Sequence, residues 1–299
     1  YEVRNITAAS PLPVARLVAG TNICHHFKLR RGDVEKGFKE ADRVFEDTFR
    51  VQMVHHAPLE PHGAIAEVAP SGPVTVWSCA QTTSRLQLWL AEYFDLPASM
   101  VHVIGTKPGG GFGAKIALRL EPYCVALSRK AGSPVRMVLT RTEEFIYCAG
   151  RRPATVRVKT GVMKDGRLVA RQVEMLWNGG AHSYTGPLSI AQAGLIASGP
   201  YKVPHVKVDS YLLYTTRAGA CAVRGLGAPQ MNWAVERHMD IIARALGMDP
   251  LEFRLKNCLE TGDVAPWGEV MEDVRLRELL LRAGEALGWG KGKERPHSG

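Results

Sequence analysis

The chain has no run of about 18 uncharged apolar residues, so a helical membrane span is excluded. It has no C-x-x-C pair. Its six cysteines, Cys24, Cys79, Cys124, Cys148, Cys221 and Cys258, lie far apart, which excludes zinc-ribbon and iron–sulfur spacing. Dispersed thiols in a chain of this size suit reduced, buried cysteines in the cytoplasm. The dinucleotide pattern G-x-G-x-x-G and the phosphate-loop ending G-K-[ST] are both missing, so neither nucleotide fingerprint is met. Internal repeats are absent. There is no signal peptide: the first residues, Tyr1-Glu2-Val3-Arg4-Asn5, are polar and charged. With no initiator Met, the expectation is a fragment or a processed piece.

The 299 residues suffice for one large domain or two ordinary ones. Apolar residues at 45% and charged residues at 22% are ordinary for a globular protein. Net charge is +9, but the basic residues are scattered, apart from the pairs Arg30-Arg31 and Arg151-Arg152 and a basic tail, Lys291 to Arg295. A nucleic-acid binder would concentrate that charge on one face. A solvated surface, or a face for an acidic partner subunit, fits the scatter better.

The stretch Thr106-Lys107-Pro108-Gly109-Gly110-Gly111-Phe112-Gly113-Ala114-Lys115 is the least ordinary part of the sequence. A strand-like run, Met100 to Ile104, leads in, and a helix-like run, Ile116 to Ala131, leads out. Adjacent glycines allow positive φ and close approach by a ligand. A helix starting directly behind them would offer unpaired N–H groups to an anion. A tight strand-to-helix turn without a ligand fits the same residues. Gln81 stands between strand Val74 to Cys79 and helix Arg85 to Phe94. Such strand ends carry ligand contacts in open sheets. If the two strands are parallel, Gln81 and Gly109 to Gly113 leave the same sheet edge.

Elsewhere, residues 1–32 read as irregular. Asp33 caps a helix expected over Val34 to Asp47, followed by a strand from Thr48 to Val54. His55-His56-Ala57-Pro58-Leu59-Glu60-Pro61-His62 holds ligand-type side chains, but the prolines forbid a helical H-x-x-x-H pair, which favours packed, hydrogen-bonded histidines. Ala64 to Ala69 and Val135 to Leu139 read as strands. Ala154 to Val162 and Leu168 to Trp177 form a hairpin through Lys164-Asp165-Gly166. Asn178 to Pro200 is glycine-rich and mixed, and Val206 to Tyr214 alternates as a strand. Helices are expected over Gln230 to Leu246, Leu251 to Leu259 and Val274 to Leu287. Arg224, within Ala222-Val223-Arg224-Gly225-Leu226-Gly227-Ala228-Pro229-Gln230, can present a rigid donor fork to a phosphate or carbonyl, or pair with a surface carboxylate.

Taken in order, H-A-P-L-E-P-H (His56 to His62), C-A-Q-T-T (Cys79 to Thr83), G-G-G-F-G-A-K (Gly109 to Lys115), V-R-G-L-G-A-P-Q (Val223 to Gln230) and D-P-L-E-F-R-L-K-N (Asp249 to Asn257) resemble the molybdenum-binding subunit of the xanthine dehydrogenase/aldehyde oxidase family, which includes carbon monoxide dehydrogenase. The resemblance implies an α+β fold of mixed sheets with flanking helices, the first of two domains that clasp molybdopterin. Residues 1–23 would be the tail of a preceding small domain. Residues 24–288 would be the first molybdopterin-binding domain, with room for two subdomains, and 289–299 a disordered tail.

On this resemblance Gln81, Gly110, Gly111, Phe112, Gly113 and Arg224 bind the cofactor. Gln81 would hydrogen-bond an oxygen ligand of molybdenum, Phe112 would lie against the metal and Arg224 would position the pterin. The cofactor would be molybdopterin with molybdenum, the cytosine dinucleotide form being one option. An iron–sulfur subunit, an FAD subunit and a second molybdopterin-binding domain or subunit are the implied partners. That second domain would also carry the general-base glutamate, for no matching G-x-G-E stretch occurs, so the chain alone is expected to be inactive. A non-catalytic folded domain without cofactor is the alternative.

In the family's purine hydroxylases a glutamate follows the loop lysine and an arginine precedes the Y-K-[IV]-P stretch. Here those positions are Ile116 and Gln192, which argues against xanthine and hypoxanthine and for an aldehyde or a less polar aromatic substrate. The loop Gly225-Leu226-Gly227 lacks the cysteine of the carbon monoxide enzymes.

Overall fold

A computed structural model describes residues 20–290. The expected tail of a preceding domain and the expected disordered and basic C-terminal tail fall largely outside them. In chain order the elements are β1 (Ile23–Arg31), α1 (Val34–Glu40), β2 (Arg43–Val51), β3 (Gly63–Val68), β4 (Val74–Ser78), α2 (Thr83–Tyr93), β5 (Val101–Gly105), α3 (Glu121–Ala131), β6 (Val135–Val138), α4 (Arg141–Tyr147), β7 (Ala154–Val162), β8 (Leu168–Gly180), α5 (Gly186–Leu195), β9 (His205–Tyr214), α6 (Ala228–Ala245), α7 (Pro250–Asn257) and α8 (Leu276–Ala286). They form two mixed sheets with flanking helices, an α+β fold.

The larger sheet has the order β1-β9-β8-β7-β2. Strands β7 and β8 form the hairpin that Asp165-Gly166 predicts, with Gly166 at φ +87. Their inward side chains, with Trp177, Met175 and Val156 fully buried, pack against Met231, Val235, Met239 and Ile242 of α6. The indole N–H of Trp177 donates to the Ser210 hydroxyl at 2.9 Å, so the ring is buried without an orphaned donor.

The smaller sheet has the order β5-β4-β3-β6, with its own core of Val74, Val76, Leu90, Val101, Cys124 and Val125. Strands β4 and β5 are parallel, Val74 opposite Val101 and Ser78 opposite Gly105. Gln81 and the glycine loop therefore leave the same edge. A third small cluster, Ala149, Cys221 and Ala222 with Ile116 and Leu226, lies where the chain runs between the sheets.

Four expectations need correction. Residues 23–31 are not irregular: β1 is an edge strand, antiparallel to β9. Its alternation is masked by histidine and arginine, whose partner is Asp209, met by Arg30 at 2.7 Å and His26 at 2.8 Å. Helix α1 stops at Glu40, because Phe45, Asp47 and Phe49 continue at the period of two of a strand, and β2 pairs with β7 along its whole length. Helix α3 begins at Glu121, with Pro122 in its first turn, and only a short 3-10 turn, Ala114–Ile116, follows the glycine loop. The loop therefore has no α-helix dipole directly behind it. Finally, the mixed stretch after Asn178 contains helix α5.

Candidate cofactor-binding site

The glycine loop is built by hydrogen bonds to three distant stretches. The Glu60 backbone N–H donates to Gly109 O at 3.0 Å, and Gly109 N–H donates to the Glu60 carboxylate at 2.8 Å. Lys115, its side chain fully buried, donates to the same carboxylate at 2.6 Å. Burial alone would raise the Glu60 carboxyl pKa, but Lys115 and the Gly109 N–H outweigh it and hold the group below the usual range.

Gln81 fastens the other side. Its backbone N–H donates to Lys115 O at 2.7 Å, and its Oε1 accepts from Gly113 N–H at 3.0 Å and Lys115 N–H at 3.3 Å. Those two bonds fix the amide: the oxygen faces the loop, and the –NH₂ has no acceptor among the described residues. Arg224 N–H donates to Phe112 O at 2.9 Å, and the Cys221 thiol reaches Gly113 O at 3.7 Å. Gln81, Phe112 and Arg224 are thus brought together. Phe112 is 47% exposed, and Gln81 and Arg224 are exposed as well.

The glycines are required by contact as well as by φ. A Cβ on Gly111 would stand 2.5 Å from Gln81 Cδ, and one on Gly113, already at φ +102, would stand 2.4 Å from Ala222 O. Phe112 at φ +53, Leu226 at φ +47 and Ala57 at φ +46 are bulkier residues held in the left-handed region at this one locality.

Beneath the loop, His62 Nε2 donates to Ala114 O at 3.2 Å, while Nδ1 lies 2.9 Å from Glu144. His56 Nε2 donates to Ala222 O at 2.6 Å. The histidines of the H-A-P-L-E-P-H stretch are therefore packed and each hydrogen-bonded, as their setting among prolines suggests, with His56 Nδ1 left buried without a partner. His62, Glu144 and Cys148 bring ligand-type atoms within 4.8 Å of one another. Burial and the Glu144 charge push the Cys148 thiol up to about 12, and its sulfur lies 3.3 Å from His62 Nδ1.

Sequence reasoning missed several supporting residues. Glu60 and Lys115 were visible only as parts of separate motifs. Arg151 and Arg152 read as surface charge, yet Arg152 is 2% exposed. Arg152 Nη1 donates to the Ser189 hydroxyl at 3.0 Å, and Arg151 donates to Gln230 Oε1 and Arg224 O, both at 3.1 Å. Of the expected substrate-pocket residues, Ile116 packs in the small cluster beside Leu226. Gln192 sits exposed on α5, with no side-chain hydrogen bond among the described residues.

The donor set has one character. Among the described residues, the N–H groups of Gly110, Gly111, Phe112, Gly225 and Gly227, the Gln81 amide and the Arg224 guanidinium have no acceptor, whereas the carboxylates nearby are engaged. Glu60 holds Lys115, Glu144 holds His62, and Glu121 accepts from Ser78 and from Arg119 N–H. A row of free donors beside bare glycine backbone fits an anionic, oxygen-rich group. The sequence pattern of the molybdopterin cofactor-binding domain matches residues 18–258. The chain belongs to that family. The type is that of the xanthine dehydrogenases and aldehyde oxidases.

This family member is 38% identical over 266 residues to the nicotinate dehydrogenase large molybdopterin subunit of Eubacterium barkeri, covering 89% of the chain and 63% of that relative. It is 33% identical over 251 residues to a probable xanthine dehydrogenase subunit of Bacillus subtilis, covering 84% of the chain and 34% of that relative. The aldehyde oxidoreductase from Desulfovibrio gigas superposes with a TM-score of 0.84 at 29% identity, over 89% of the chain and 29% of that structure. The chain thus spans less than two thirds of the relatives it matches. No helix among the described residues is long and apolar enough to cross a membrane.

Proposed function

We propose that this molybdopterin-binding domain is part of a molybdenum hydroxylase that oxidises an aldehyde or a weakly polar aromatic heterocycle. The observation that carries this reading is the donor-only cleft, with the Gln81 amide oriented by Gly113 and Lys115. Gln81, Gly110, Gly111, Phe112, Gly113 and Arg224 would hold the cofactor, molybdopterin with molybdenum, its cytosine dinucleotide form being one option. When bound, that group supplies two-electron oxidation with insertion of a water-derived oxygen at carbon.

The residues of this chain bind and orient. The Gln81 –NH₂ and the loop N–H groups donate to oxygen or sulfur on the cofactor. Phe112 would cover one side of the cleft, and Arg224, tied to Phe112 O through its backbone N–H, would bring a cation to the same cleft. The general base belongs, in this reading, to a second molybdopterin-binding domain or subunit, because the carboxylates around the loop are already committed. Electrons would leave through iron–sulfur and FAD-bearing partner subunits, and buried free thiols suit a cytoplasmic setting.

Ile116 can neither donate nor accept where a purine ring would need a partner, and Gly225-Leu226-Gly227 has no thiol to offer. Both features argue against xanthine and carbon monoxide and for a less polar carbon substrate. The nicotinate dehydrogenase likeness is consistent with an aromatic heterocycle.

Molybdenum and phosphorus analysis of the purified complex tests the reading. Near-stoichiometric molybdenum, with turnover of benzaldehyde or nicotinate ahead of xanthine, is expected. Absence of molybdenum and phosphorus would mean a non-catalytic folded domain, and xanthine as clearly the best substrate would overturn the substrate class.

A further inference from the structure

Arg119, Arg152 and Arg171 are each buried, at 5%, 2% and 0% exposure, and none has a carboxylate partner among the described residues. Two of them make three hydrogen bonds each, although the Nε of Arg152, like that of Arg119, is buried without a partner. Arg171 donates to Thr160 Oγ1 at 3.1 Å, Ser198 O at 2.6 Å and Met239 Sδ at 3.2 Å. Arg152 donates to Ser189 Oγ, Ser183 O and Ala220 O. Arg119 differs. Its guanidinium makes one hydrogen bond, from Nη1 to the Tyr184 hydroxyl at 3.1 Å, and its Nε is buried without a partner. A buried guanidinium answered by a single phenol is an incomplete arrangement, since desolvating such a cation is costly unless an anion or several acceptors replace the water.

Tyr184 is held between Arg119 and the His182 ring, whose centroid lies 5.8 Å from its own. It adopts φ +42, a strained backbone for an aromatic residue, and its ring stands 5.0 Å from the guanidinium carbon. Gly219 makes room for it, since a Cβ there would lie 2.5 Å from Tyr184 Cε2. The ring is 42% exposed, so the pair is reached from outside past Tyr184. The phenol oxygen accepts from Arg119 and keeps its own proton free to donate. Two donors side by side, one charged, match the two oxygens of a carboxylate.

This pair adjoins the cofactor cradle. Arg119 lies close enough to Cys221 to interact with it electrostatically, and the Cys221 thiol reaches Gly113 O. Ile116, three residues before Arg119, lines the small apolar cluster with Leu226. An apolar patch and a buried cation thus flank the same end of the loop.

We infer that Arg119 and Tyr184 form a carboxylate subsite that orients a planar aromatic substrate whose ring is weakly polar and carries a single carboxylate substituent. Its role in catalysis rests on the hydroxylase reading above, while the binding itself does not. The test is calorimetric titration of the intact purified complex with benzoate and with benzamide, which share shape but not charge. Benzoate is expected to bind at least tenfold more tightly. Arg119→Met should weaken benzoate by about 30-fold or more, the lower end for losing one partner of a buried charge pair, and leave benzamide within about threefold. Tyr184→Phe should weaken benzoate by about five- to tenfold and Arg119→Lys should restore part of the loss.

Equal binding of the two probes by the wild type would overturn the inference, because Arg119 would then be answered by another part of the assembly. Equal weakening of both probes by Arg119→Met would overturn it too. Should that variant not fold, the wild-type preference and Tyr184→Phe decide. A molybdenum-free complex that still prefers benzoate would sustain this subsite and sink the hydroxylase reading. A molybdenum-loaded complex that oxidises neutral substrates and shows no preference would do the reverse.

Discussion

The Glu60–Lys115 pair gives the sharpest test of how the loop is held. Lys115 Nζ is fully buried and Glu60 is 40% exposed, at a separation of 2.6 Å. Glu60→Gln leaves the lysine charge buried with a weaker partner and loosens Gly109. Breaking a buried pair from one side costs about 3–5 kcal/mol. Because one partner here is two-fifths exposed and water can reach it, the expectation is reduced to about 2 kcal/mol. Lys115→Met removes the charge and keeps most of the volume, so its cost should stay under about 1 kcal/mol.

The double variant decides the mechanism. If Glu60 matters mainly by answering Lys115, Glu60→Gln combined with Lys115→Met should be about as stable as Lys115→Met alone, a coupling of about 2 kcal/mol. Urea denaturation of the three variants, followed by tryptophan fluorescence, measures it. Strict additivity, or a Lys115→Met variant less stable than Glu60→Gln, would refute the reasoning.

Other expectations concern the cleft and its acid response. Gly111→Ala should push Gln81 aside and lower molybdenum content severalfold while circular dichroism stays native; unchanged molybdenum would count against the cradle. Arg224→Met, at an exposed position with no side-chain hydrogen bond among the described residues, should shift stability by no more than about 0.5 kcal/mol, whereas Gln81→Ala, which removes two accepted hydrogen bonds, should cost about 1–2 kcal/mol; both should reduce cofactor content. His238 is held below its usual value by burial and by Arg171, against the pull of Asp47, so the native state binds fewer protons than the unfolded chain and stability should begin to fall as pH drops past ~6.5. Burial would raise Glu144 and Asp209, but His62 holds the first low, and Arg30 and His26 the second. Their contribution is complete above ~4.3 and lost as pH falls through the folded values, so the decline should steepen there, less so in Glu144→Gln. If the general base lies in another domain, as proposed, residues 1–299 alone should turn over no aldehyde or heterocycle with an artificial acceptor, since lacking a positioned base costs about 10²–10⁴-fold; robust turnover would place the base within this chain.

The edge that carries the site was legible because it depends on local signals. Two strand patterns, a helix start after Gln81 and a glycine run place Gln81 and Gly109–Gly113, and a parallel β4–β5 pair makes them neighbours. Phe112 and Arg224 were legible as odd residues among small ones, but their backbone bond joins segments that no local pattern connects. Glu60–Lys115 and Arg152–Ser189 were illegible for the same reason: a carboxylate, a lysine or an arginine looks alike whether solvated or buried until the fold supplies its partner. Helix α1 was overextended because Phe38, Ala41 and Phe45 mimic a helical stripe, while β2 is decided by pairing with β7.

The bonds that shape the loop also order events in time. Gly113 is tied to Cys221, 108 residues later, and His56 to Ala222, 166 residues later. Closing such long loops is entropically slow, and neither half can be finished while the ribosome still holds the α6 segment. The small sheet can assemble from residues 63–138 well before that. It follows that the glycine loop waits, formed on one side and open on the other, until Arg224 arrives.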